Sequence, residues 1–148
     1  VWTGHSLPSG GVFALDMAHA TAPWPAYVGT SGAGVYARAS AADPWLAAST
    51  NLPGNGADDM VREVAVHPAS PEHVLVGVDG HGVYRSVDGG GWWEAYGQGL
   101  PEDDSLRVYA LRWGVGGGSL IWAATSDGVW HVTGSALYLP ALWRQPAP

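Results

Sequence analysis

Carboxylates fall in short groups along this chain: Asp58-Asp59, Glu102-Asp103-Asp104, Asp79 two residues before His81, and Asp127. Grouped carboxylates suit a hard cation such as Ca²⁺, or a basic partner surface, because each offers anionic oxygen. No EF-hand-type spacing is present, so calcium is a weak expectation, and Asp beside Gly is also ordinary turn chemistry. A second set is Asp16, His67 and Arg112, each two residues after an alanine (Ala14, Ala65, Ala110). Three such residues make a polar ring if the segments carrying them converge; at strand ends facing water any polar residue is tolerated. Catalytic templates are missing. There is no nucleophile elbow, phosphate loop or zinc-binding helix motif. The six arginines, Arg38, Arg62, Arg85, Arg107, Arg112 and Arg144, show no convergent spacing. Zero cysteines exclude thiol catalysis, disulfides and Cys-ligated metals. The expectation is a non-enzyme without a metal site or cofactor.

The elements that would position these residues are repeated. Tyr27-Val-Gly-Thr-Ser-Gly-Ala-Gly-Val-Tyr36 matches Leu75-Val-Gly-Val-Asp-Gly-His-Gly-Val-Tyr84, and both match Trp122-Ala-Ala-Thr-Ser-Asp-Gly-Val-Trp130 with one deletion. Upstream of each lies a further apolar segment: Val12 to Asp16, Glu63 to His67, and Val108 to Arg112. Downstream come Trp45-Leu-Ala-Ala and Trp93-Glu-Ala-Tyr, each followed by a Leu-Pro pair. Each unit therefore holds four short strands, A to D, in roughly 47 residues, the size of a β-propeller blade. The fold class expected is all-β: a propeller segment of about three four-stranded antiparallel blades.

Composition agrees. The 148 residues are 47% hydrophobic with 22 Gly, 11 Pro and nine Trp, which suits many short strands joined by tight turns. No apolar run approaches ~20 residues, so no transmembrane segment is expected. A net charge of −7 argues against nucleic acid as a partner, since phosphate binding needs a basic surface. The first residue is Val1, so the chain is expected to be a processed product or a piece of something longer.

One stretch carries a recognisable signature. Ser86-Val87-Asp88-Gly89-Gly90-Gly91-Trp92-Trp93 fits the pattern S-x-D-x-G-x-x-W, with Ser86, Asp88, Gly90 and Trp93 at the four fixed positions. It resembles the Asp-box, or BNR repeat, of sialidases, xyloglucanases, sortilin-type receptors and photosystem II assembly factors. The first repeat keeps only Ser40, Asp43 and Trp45 in altered spacing, and the third has no such box. The box is a turn-stabilising device whose relatives do unrelated things. The resemblance implies that strand A of each blade lines a central channel. It also implies that the D–A and B–C connections share one face, gathering seven of the 13 acids there. Sialidases need a three-arginine cluster with a tyrosine nucleophile, and xyloglucanases need carboxylates across a cleft between two large propellers. Neither arrangement is evident.

The resulting assignment treats residues 1–148 as one propeller segment. Residues 1–8 are an outer strand of a preceding or closing blade, 11–53 blade one, 61–101 blade two, and 106–148 a degenerate blade three. Val1–Ser6 is expected to add as a strand to a blade edge, in cis or in trans. The mostly apolar tail Ser135–Trp143 is not expected to close a blade convincingly. The function expected is a non-catalytic scaffold or protein-binding module, completed by a second copy or a companion protein and working outside the cytoplasm. The alternative is a carbohydrate-binding or glycosidase-related module.

Overall fold

The computed structural model describes residues 1–7, 10–19, 22–114 and 120–133. They hold eleven strands and no helix. The first sheet runs β1 (Val12–Met17), β2 (Ala26–Thr30), β3 (Val35–Arg38) and β4 (Leu46–Ala47), each antiparallel to the next. The second repeats it with β5 (Val61–Val66), β6 (Val74–Val78), β7 (Gly82–Ser86) and β8 (Glu94–Ala95). The third contains β9 (Val108–Trp113), β10 (Leu120–Thr125) and β11 (Gly128–Thr133). Its expected fourth strand, the tail Ser135–Trp143 and Arg144 lie outside the described residues.

Sequence sets this pattern strand by strand. The second strand of the first two blades is short, rich in β-branched or aromatic residues, and buried on both sides: AYVGT in β2 and VLVGV in β6. Such double burial follows when a sheet is covered on each face. The hairpin after each second strand turns at Gly34, Gly82 or Gly128, all at positive φ, where a side chain would be strained.

Packing between blades forms two cores. One joins blades one and two through Tyr27, Val35, Val64, Val76 and Trp93. The other joins blades two and three through Leu75, Val83, Leu111 and Ile121. Both depend on glycine. A Cβ on Gly29 would lie 2.5 Å from the carbonyl oxygen of Val61, and one on Gly77 would lie 2.6 Å from Val108 Cβ. The first strand of each following blade therefore rests directly on the backbone of the blade before it. At the equivalent place in blade three the residue is Ala124.

Residues 1–7 form no strand in this chain and are mostly exposed. This corrects the expected pairing of Val1–Ser6 in cis. The Trp…Leu-Pro pattern has the composition of an outer strand, yet Trp2 projects fully into solvent instead of packing between blades.

Gly29→Ala should lower unfolding free energy by about 1–3 kcal/mol, the usual cost of overpacking a tight contact. Gly4→Ala, with open space around the added methyl, is the control. Urea midpoints compare them, and equal midpoints would show that blades one and two can separate freely.

Candidate functional site

The strands β1, β5 and β9 adjoin one another and line an open groove of about 520 Å³, with Leu15, Asp16, Glu63, Ala65, Arg112 and Trp113 among its walls. This is the arc of channel where the polar trio was expected. Two of the three are present, and His67 is not. In the observed register Ala14 pairs with Gly29, Glu63 with Gly77, and Ala110 with Ala124. Asp16, Ala65 and Arg112 are therefore equivalent, and His67 falls two residues further on. A two-residue shift keeps every side chain on its own face, so alternation cannot reveal it. His67 is instead buried edge-on against Trp113, with ring centroids 4.7 Å apart. Its Nδ1 accepts the Ala69 N–H at 3.1 Å. Glu63 supplies the polar group that blade two brings to the groove.

Each groove carboxylate is engaged across a blade boundary. Asp16 Oδ2 accepts the Val66 N–H at 2.8 Å, and its Oδ1 accepts Met17 N–H at 2.8 Å. Glu63 Oε1 receives Arg112 at 2.6 Å and the Leu111 N–H at 3.4 Å. The indole of Trp113 donates to the Ala65 carbonyl at 3.1 Å. These contacts tie blade one to two and two to three at their inner ends.

The acidic loops divide into structural and exposed members. Asp59 is buried, and its carboxylate accepts the N–H groups of Gly54 at 2.9 Å and Gly56 at 2.8 Å. The Asp79 side chain is almost wholly covered and forms a bidentate pair with Arg62, with Arg107 Nε at 3.3 Å. Hydrogen bonding to Asp79 holds the Arg62 guanidinium even more firmly protonated than usual. The Arg62 guanidinium also lies 5.1 Å from the Phe13 ring centroid, so one charge network touches all three blades. Neither arginine was assigned a partner from sequence, because the spacing to Asp79 is non-local. Asp103 accepts the Ser105 N–H at 2.6 Å, which pulls its carboxyl below the ordinary range. Asp58, His81, Glu102, Asp104 and Asp127 are exposed. His81 shares a shallow pocket with Glu102, Asp103 and Asp104. Among the described residues no three His, Asp or Glu side chains gather in a metal-ligating arrangement.

The Ser86–Trp93 turn is built around its serine. Ser86 is buried; its Oγ donates to Asp88 Oδ1 at 2.7 Å and accepts the buried Gly90 N–H at 2.9 Å. Asp88 Oδ1 also accepts the Trp92 N–H at 3.0 Å. These bonds, the Ser86 hydroxyl foremost, hold the Asp88 carboxyl below its usual range. Trp93 is fully buried and its Nε1 donates to the Ala48 carbonyl of blade one at 2.7 Å. The turn thus delivers a tryptophan into the neighbouring blade.

Ser86→Ala should cost more than Asp88→Ala. Removing Ser86 strands the buried Gly90 N–H, about 1–3 kcal/mol, whereas the exposed Asp88 contributes about 0.5–1.5 kcal/mol. Thermal melts of the two variants rank them. The depressed Asp88 carboxyl makes its contribution full above the ordinary range near pH 4 and lost as pH falls through the lower folded value. Asp88→Asn should therefore flatten the acid limb of the stability profile below about pH 4.

No protein-family model and no curated protein matches the chain. Solved structures do. An ancestral GH74 enzyme aligns with a TM-score of 0.66 at 16% identity, over 86% of this chain and 18% of its own. YCF48 from Cyanidioschyzon merolae aligns at 0.61 and 19% identity, over 89% of this chain and 40% of its own. PorZ, a bacterial surface component of the type-IX secretion system of Porphyromonas gingivalis, aligns at 0.60 and 15%, over 82% and 17%. The chain spans less than half of each. At these identities the likeness concerns architecture: the chain has an all-β, β-propeller-type fold.

Proposed function

We propose that this chain is a non-catalytic propeller segment that acts as a scaffold or protein-binding module within a larger ring or complex. One observation carries the reading. The two carboxylates of the groove, Asp16 and Glu63, are each held by donors from the next blade. A general base or nucleophile needs a lone pair aimed at substrate, and these are aimed at backbone and Arg112. The exposed acids, Asp58, Glu102, Asp104 and Asp127, offer a basic partner surface a negative face. The box resemblance of Ser86, Asp88, Gly90 and Trp93 fits the same role, since their hydrogen bonds serve blade packing.

An extracytoplasmic setting is part of the proposal. Its support is the likeness to PorZ, a bacterial surface component. A second reading, carbohydrate binding, draws on the exposed rings of Trp24, Trp92 and Trp122 and on the likeness to a GH74 enzyme. Flat exposed rings stack on sugars as readily as on other apolar surfaces.

Two assays separate these readings. Incubation with xyloglucan, other β-glucans and sialosides should release no sugar, and a glycan array should give no saturable binding. Turnover abolished by Asp16→Ala or Glu63→Ala in a folded protein would overturn the proposal in favour of an enzyme. A protein partner held by the acidic face should dissociate as salt rises from about 50 to about 500 mM, because the screening length of exposed charges falls from about 14 Å to about 4 Å over that range.

A further inference from the structure

The first strand of each blade carries one extra residue at the same place. It bulges out of the ladder between Val12 and Ala14, between Val61 and Glu63, and between Val108 and Ala110. The extra residues are Phe13, Arg62 and Tyr109, an aromatic, a cation and an aromatic in consecutive blades. A bulge releases its extra residue from the pairing and re-aims the side chain. Arg62, in the middle blade, shows that the position faces away from its neighbours. With a blade on either side, its side chain is still 30% exposed. Its guanidinium lies 5.1 Å from the Phe13 ring centroid, and Tyr109 of blade three is near enough to act on its charge. Asp79 takes Nε and Nη2, so Nη1 makes no hydrogen bond among the described residues. The row is thus defined by the two junctions inside the chain, whatever precedes or follows residues 1–148.

The bulges open the inner strands at the end where the acidic loops gather. Asp58 and Asp59 lead into β5, and the Asp59 carbonyl accepts the Gly32 N–H of the blade-one hairpin at 3.1 Å. Asp104 leads towards β9, where its carbonyl accepts Arg107 at 3.1 Å. Asp127 sits in the hairpin after Thr125, the partner of Val108. Both arginines here are matched, Arg62 by Asp79 and Arg107 by Asp79 and Asp103. Asp58, Glu102, Asp104 and Asp127 are exposed and make no ion pair among the described residues.

We infer that the bulge row docks an extended basic segment of a partner protein. A lysine or arginine of the segment lies across Tyr109, and one of its carbonyls accepts Arg62 Nη1. The inference deepens the protein-binding reading and rests on it. Aromatic faces attract cations, and long basic side chains bury their stems while the charge stays in water near the acids. Charge complementarity selects this occupant, because the chain carries −7 and the excess around the row is negative. An acidic partner would meet those unpaired carboxylates around a single free donor.

The test is fluorescence anisotropy of a labelled octalysine peptide titrated with the 148-residue chain at about 50 mM salt, where screening is weak. Saturable binding is expected, and a labelled octaglutamate peptide should not bind. Tyr109→Ala should weaken octalysine binding about threefold or more, whereas Tyr109→Phe keeps the ring and the affinity. Asp127→Asn should weaken binding and reduce its salt dependence. Tyr109→Leu repeats the experiment should the alanine variant lose its cooperative thermal melt. Absence of octalysine binding overturns the inference, as does octaglutamate binding of equal strength. Binding indifferent to loss of the Tyr109 ring overturns it too, in favour of diffuse attraction to the acids. The non-catalytic reading falls to a different result, glycoside turnover in the assays above.

Discussion

Everything in this structure hangs on one close approach, the seating of a valine-led strand against the glycine of the blade before it. Val61 meets Gly29 and Val108 meets Gly77 so closely that no side chain fits between. That contact sets the spacing of the sheets, and the spacing decides which side chains can bridge them. Tyr27 then reaches the Pro71 carbonyl at 3.2 Å, Asp16 reaches Val66, and Trp93 reaches Ala48. An added methyl at Gly29 would shift all three bridges together, because close-packed interiors transmit strain.

The repeat was legible in the sequence because glycine and aromatic positions recur where backbone geometry demands them. Gly34, Gly82 and Gly128 turn the same hairpin, and the Tyr36, Tyr84 and Trp130 positions follow it. Strand A was legible as an element and illegible in register. Blade two has Glu63 where blades one and three have Ala14 and Ala110, so anchoring on the alanines, with Ala65 in blade two, displaces it by two residues. Period-two alternation is blind to a slip of that size. Val1–Ser6 shows the opposite failure: its composition matches an outer strand, but pairing depends on an edge that composition does not specify. Arg62 and Arg107 were missed for the same reason, since their partner Asp79 is distant in sequence.

Carboxylates here act chiefly as acceptors for the fold's own donors. Asp59 closes a loop, Asp79 neutralises two arginines, Asp16 and Glu63 stitch blades, and Asp88 caps a turn. A chain with few lysines or arginines and many tight turns has many backbone N–H groups to satisfy, and buried donors left alone are costly. Holding a donor does not take a carboxylate out of water: nine of the 13 acids are exposed, among them Asp58, Glu102, Asp104 and Asp127 on loops.

Blades one and two are fastened at both ends of their shared radius. At the hub Asp16 holds Val66; at the rim Trp93 donates its indole and backbone N–H to Ala48 and Thr50, and Asn51 grips its carbonyl at 2.8 Å. Blades two and three are fastened at the hub by Glu63, Arg112 and Trp113, while Tyr96, Leu100 and Trp130 meet further out by apolar packing. Among the described residues the second pair is also tied by Arg107 to Asp79 and by the Gly80 N–H to the Leu106 carbonyl. In mechanical terms blades one and two behave as a rigid plate, in which a load on either blade is carried to the other through directional bonds at hub and rim alike.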